Sequence, residues 1–194
     1  MSANEFVKLA KDKFGFLISE YNFRCVEATN YIVRFEGDKV FVSVRYDANR
    51  SYELDVEIGQ LNALFSGQER PFNLGEILRL EGVAEKEYYT FFQANDSSAL
   101  VNCIARLAFL LSNYAVGLLK NNIFSFKRLS DLREKECNQY ELKTKLIHIR
   151  KEVRIAWKSK DYSKVAELYK PVEYAISEAE KKKLIFSQKQ IKES

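Results

Sequence analysis

The groups in this 194-residue chain that could do chemistry begin with three carboxylates, Glu53, Asp55 and Glu57. Alternate spacing puts them on one face of one strand. Catalytic carboxyls need unlike environments to separate their pKa values. Three acids side by side on an outward face read instead as the solvated side of a sheet. His148 is the single histidine, so any Ser–His or Cys–His dyad must use it. It stands among Lys145, Arg150 and Lys151, with Glu152 one helical turn on, which is the setting of a solvated helix surface. Cys25, Cys103 and Cys137 are widely spaced and form no Cys-x-x-Cys pair, so neither a zinc site nor a disulfide framework is indicated. Reduced thiols in a cytoplasmic protein are the expectation. The sequence holds no HExxH, no EF-hand loop and no glycine-rich phosphate loop. The chain is read as non-enzymatic, with no catalytic residue, no cofactor and no metal. An enzyme without a recognised motif is the third-ranked reading.

Charge is distributed unevenly. Residues 1–119 carry 12 Lys and Arg against 16 Asp and Glu, and residues 120–194 carry 19 against 11. A basic C-terminal half could meet nucleic acid or an acidic protein. Acids interleave with the lysines, as on solvated helix faces. The start, MSANEFVKLAK, lacks the basic and apolar blocks of a secretory signal and offers Ser2 and Glu5 as a capping box. The charge-free run from Leu107 to Leu119 is too short for a bilayer. No membrane partner is expected.

These groups must be positioned by the elements around them. The central one is a helix over Ser97–Asn121. Leu100, Ile104, Leu107, Leu111, Tyr114 and Leu118 recur at spacings of three and four. Asp96, Ser97 or Ser98 caps its start. Residues 3–21 form an amphipathic helix. The apolar period then changes to two, with strands over 23–28, 31–36, 39–46 and 52–58. A two-residue turn at Gly37-Asp38 pairs Phe35 with Val40 and Val33 with Val42. The next turn, residues 47–51, pairs Val42 with Val56 and Arg45 with Glu53. Ser66-Gly67-Gln68 is a loop. Asn73 and Glu76 form a capping box for a helix over 74–81. Residues 86–94 read as a further strand. After a turn at 122–126, a helical region runs to about Ser159 with a break in 133–138. Asp161 caps a helix from Tyr162, Pro171 kinks or restarts it, and Ser177 with Glu180 caps a last helix to about Ile191.

Strands in a run, then helices in a run, indicate an α+β fold: an N-terminal helix and an antiparallel meander packed on the central helix, then a helical region ending in a helical hairpin. The expected parts are 1–95, with the sheet, and 96–194, helical, joined by the central helix into one body.

The segment Asp161-Tyr162-Ser163-Lys164-Val165-Ala166-Glu167-Leu168-Tyr169 resembles the second helix of a tetratricopeptide repeat. Asp161-Tyr162 matches that family's turn, Val165 takes the place of its small alanine, and Tyr169 matches its aromatic. Val153 stands where the family has glycine, and Pro171 interrupts where its helix runs on. The resemblance implies a helical hairpin of the kind that carries protein-binding surfaces. The chain as a whole is loosely similar to small uncharacterised bacterial cytosolic proteins, some of which accompany toxin systems as immunity proteins. Trp157, Tyr162, Tyr169, Arg45 and Arg50 are the candidate partner-binding residues. The leading functional reading is a non-catalytic, cytoplasmic protein-binding protein of a bacterium, immunity-like in kind. A nucleic-acid-associated protein using the basic half is the alternative.

Overall fold

Alternating Val, Ile and Phe build a sheet whose apolar side must be covered, and that requirement organises the first part of the chain. The computed structural model describes residues 3–84 and 92–193; the strand expected over 86–94 lies mostly outside them. The fold is α+β. Strands β1 (Arg24–Ala28), β2 (Ile32–Glu36), β3 (Val40–Tyr46) and β4 (Leu54–Gln60) form a meander. A separate hairpin of β5 (Leu64–Phe65) and β6 (Gln68–Glu69) follows. Strand β7 (Phe72–Asn73) then returns beside β4, completing the antiparallel order β1-β2-β3-β4-β7. Val33, Phe35, Val42, Val44, Val56 and Ile58 line the inner face, each fully buried. They pack against Phe6 and Ala10 of α1 (Ala3–Lys13), against Phe14 just after it, and against Leu100, Ile104, Leu107 and Leu111 of a later helix, Ser97–Tyr114.

Both turns of the meander differ in register from the sequence expectation. Phe35 faces Val42 and Val33 faces Val44, because Gly37 N–H donates to the Val40 carbonyl at 2.8 Å and the turn is therefore Asp38-Lys39. Gly37 serves packing rather than the turn. A Cβ there would lie 3.1 Å from the Phe23 ring. In the second pair Val42 faces Ile58 and Arg45 faces Asp55, not Glu53. The longer loop is held by Asp47, whose Oδ1 accepts from the Asn49 and Arg50 N–H groups and whose carbonyl accepts from Tyr52 N–H. Each slip is two residues, so every side chain keeps its face.

The helices also differ in detail. The expected helix over 3–21 breaks at Gly15 into α1 and α2 (Phe16–Tyr21), which ends on left-handed Asn22. Helix α3 (Leu74–Leu80) has the full capping box of Asn73 and Glu76. The central helix, α4 (Ser97–Tyr114), is capped by Asp96. It stops short of Asn121, where a short α5 (Val116–Leu119) follows. Ser112 Oγ and Asn113 Nδ2 both donate to the Phe109 carbonyl, at 3.0 and 2.7 Å. Such side-chain competition loosens a helix end. Helix α6 (Ile123–Lys158) starts within the expected turn and runs unbroken through 133–138. Then come α7 (Tyr162–Tyr169), a 3-10 turn over Lys170–Ala175 opened by Pro171, and α8 (Glu178–Glu193).

Contacts group residues 1–133 into one unit and 134–194 into a second. The central helix α4 belongs with the sheet, since its stripe and the sheet's inner face share one core. Arg133 closes the first unit. Its Nε and Nη2 donate to the two Glu76 carboxylate oxygens, each at 2.6 Å, and Nη2 also reaches the Pro71 carbonyl at 2.7 Å.

The outer face of the sheet carries one buried aromatic, Phe41, opposite Gly59. A Cβ at Gly59 would meet the Phe41 ring at 2.6 Å and the Pro71 Cα at 3.4 Å. Gly59→Ala is expected to destabilise the protein by about 1–3 kcal/mol through overpacking, measured as a lower urea midpoint with an unchanged slope.

Candidate functional site

The second unit is a helical hairpin with its own core of Leu146, Val153, Ala156, Val165, Tyr169, Val172, Ile176 and Leu184. Its turn is a Schellman closure. Lys160 takes a left-handed φ of 58°, its N–H donates to the Trp157 carbonyl, and Asp161 N–H donates to the Ala156 carbonyl. Asp161 then caps α7 by accepting from Lys164 N–H at 2.9 Å. One residue thus ends one helix and opens the next, and the tight turn brings Trp157 and Tyr162 to 5.7 Å, edge to face. Phe186 of α8 completes a triangle, 5.7 Å from Trp157 and 5.5 Å from Tyr162. Lys183 Nζ sits 5.5 Å from the Trp157 ring. Both Trp157 and Tyr162 are half-buried, while Phe186 is exposed. Phe186 was missed in the sequence because it lies far along the chain, on a helix whose apolar period is weak.

Tyr169 is buried and offers a partner no surface. Its hydroxyl points to Glu180, which accepts from Arg150 Nε at 2.7 Å and from Ser177 N–H at 2.8 Å. The Arg150 guanidinium, followed by the Ser177 bonds, holds the Glu180 carboxyl down to about 2 against the opposing effect of burial. Burial, and after it the Glu180 charge, raises Tyr169. Arg45 and Arg50 lie in the first unit. Arg45 Nε donates to Glu57 at 2.6 Å, and Arg50 is exposed in the loop after β3. The five candidate residues therefore form two separate groups, one in each unit.

The acids of β4 are not equivalent. Glu53 is exposed. Asp55 reaches solvent at its edge, yet surrounding protein and the neighbouring Glu57 push its carboxyl up to about 6 against the pull of Val56 N–H and Arg45. An acid near 6 can trade a proton at neutral pH. Cavities of about 250 Å³, lined by Tyr21, Phe23, Lys39 and Asn121, and about 200 Å³, lined by Ile77, Tyr114, Gly117 and Ser125, both lie away from Asp55. Among the described residues no group of three His, Cys, Asp or Glu is placed to hold a metal ion, and no described helix is long and apolar enough to cross a membrane.

An unexplained surface lies on α6. Its core side carries Leu142, Leu146, Ile149, Val153 and Ala156. On the opposite side Tyr140, Ile147 and Ile155 recur at seven and eight residues, 72, 58 and 63% exposed. Lys143, Lys151, Arg154 and Lys158 fill the same face, all exposed and none in an ion pair with a described residue. Glu141 and Glu152 lie at its margin. This second stripe is visible in the sequence as apolar residues out of phase with the core set. The chain matches no protein-family model, no curated protein and no solved structure.

Trp157→Ala should cost about 2 kcal/mol, below the ~3–5 kcal/mol of a fully buried ring, read by thermal unfolding. Glu180→Gln should give a pH-dependent loss. The unfolded carboxyl takes its proton near 4.5 and the native one near 2. Stability from this carboxylate is complete above 4.5 and disappears as pH falls toward 2. The gap between the two proteins in urea stability should therefore be largest at pH 6 and shrink between 4.5 and 2.

Proposed function

We propose that this is a non-catalytic binding protein whose partner is another protein, docked on the outward stripe of α6. The observation that carries the reading is the joint exposure of Tyr140, Ile147 and Ile155 among Lys143, Lys151, Arg154 and Lys158. Covering an isoleucine or tyrosine is worth roughly 1.5–3 kcal/mol each, and exposed apolar chains arranged as one patch mark interaction surfaces. Four cations with no ion-pair partner among the described residues select a partner surface that is acidic as well as apolar. The tetratricopeptide-like hairpin supports the same reading, because hairpins of that family carry protein-binding surfaces. The setting we propose is a bacterial cytoplasm, in keeping with the exposed free thiol of Cys137. An immunity-type role is the narrower form, in which the partner is a toxin.

The four cations also favour a nucleic-acid reading. Phosphate contacts would use them and leave the isoleucines idle. Ile147→Lys with Ile155→Lys separates the two. Both positions are exposed, so stability should stay within about 0.5 kcal/mol. In quantitative capture from nuclease-treated lysate of the producing cells, the variant should lose the protein retained by the parent. Retention of that protein, or tighter binding of duplex DNA with nothing else lost, would reject the proposal.

A further inference from the structure

We propose that the outer face of the sheet holds a recognition site for an acidic side chain of a protein partner, with Arg34 as its reader and Glu69 as the chain's own occupant. This site is independent of the α6 stripe. Arg34 lies on β2, directly across from Ser43. Its guanidinium stacks 3.9 Å over the Phe41 ring, and its Nε donates to Glu36 at 2.9 Å. These two contacts fix the plane of the fork, and the Glu36 bond uses neither Nη1 nor Nη2. Both donate to Glu69, each at 2.7 Å. A guanidinium oriented in this way suits a carboxylate held bidentately.

Glu69 differs from Glu76 and Glu180, which arginines also hold through two guanidinium nitrogens. Glu76 is held by Arg133 and also accepts from Asn73 N–H. Glu180 is held by Arg150 and also accepts from Ser177 N–H. Each is locked twice, once through its capping box. Among the described residues the Glu69 carboxylate is hydrogen-bonded by Arg34 alone. It sits on a hairpin of two-residue strands, turned by Ser66 and Gly67 at φ 52° and 79°, with Leu64 and Phe65 exposed. So small a hairpin has little stability of its own, and its exposed side chains bury little that would hold it down. Directly across the ladder from Arg34, the Ser43 hydroxyl is wholly buried and has no hydrogen-bond partner among the described residues.

The ligand class follows from charge. Glu36, Glu57 and Asp55 surround Arg34 and Arg45 on this face. Replacing Glu69 by a single partner carboxylate conserves the charge of the site. A phosphate dianion would add negative charge to a face already rich in it.

The test uses the full chain and a blocked tripeptide, acetyl-Ala-Glu-Ala-amide, titrated while the backbone N–H resonance of Ser43, across the ladder from Arg34 and present in every variant, is followed by NMR. Removing the internal competitor with Glu69→Ala should tighten binding at least about tenfold, since occupancy by Glu69 lowers apparent affinity by the open fraction. Adding Arg34→Lys, which keeps the charge and loses the fork, should abolish it. Inorganic phosphate at the same concentration should leave the resonance in place. Equal binding by the parent and Glu69→Ala would overturn the proposal, as would binding that survives Arg34→Lys or a phosphate response as large as the peptide's. If the double variant does not fold, the comparison of Glu69→Ala with the parent decides the matter alone.

Discussion

The first unit depends on one constraint: an antiparallel sheet has a face that must leave water. Burying Val42, Val44, Val56 and Ile58 requires a cover, and α1 and α4 supply it from either side of the sheet in sequence. That cover explains why α4 is apolar nearly all round and why it groups with the sheet rather than with the helices that follow. After Leu111 the regular helix loosens, as Ser112 and Asn113 turn their donors onto the Phe109 carbonyl, and Leu118 and Leu119 of α5 continue the same core.

Facing was legible in the sequence and register was not. The alternation of Val40, Val42 and Val44 against Leu54, Val56 and Ile58 settles which side chains point inward. It is silent on which valine meets which, because a shift of two residues leaves the pattern intact. The tie is broken by groups that alternation does not see. At the first turn it is the Phe23 ring, which claims the space where Gly37 would otherwise carry a side chain. At the second it is Asp47, whose carboxylate and carbonyl gather the loop's N–H groups. The ion pair read into Arg45 and Glu53 failed for the same reason. Arg45 reaches diagonally to Glu57 instead.

Local signatures were readable and their distant partners were not. Asn73 with Glu76 and Ser177 with Glu180 announce helix starts by spacing alone. The spacing says nothing of Arg133 or Arg150, which lie 57 and 30 residues from the glutamates they grip. Each glutamate therefore does two jobs, satisfying a helix N-terminus and anchoring a distant helix by its arginine. The Trp157–Tyr162 contact was legible because a short turn joins the two rings. Phe186, which completes the triangle, was not, since only the return of α8 onto the hairpin brings it there.

Helix α6 carries two apolar stripes, and only one is used inside its unit. A helix that needed only the core stripe would place charge on its far side, where an exposed isoleucine gains nothing from folding. β-Branched residues are also slightly worse helix formers than lysine or glutamate. Ile147 and Ile155 thus bring neither burial nor propensity, while single exposed apolar chains elsewhere need no explanation. What distinguishes these two is their phase. They share one face with Tyr140, and the charges between them are all positive from Lys143 to Lys158. A solvated face normally mixes charge signs at three and four residues, as Lys164 with Glu167 and Lys181 with Glu178 do on the neighbouring helices. The outward face of α6 departs from that rule in both respects at once, and these two departures are the grounds on which we propose a partner that is both apolar and acidic.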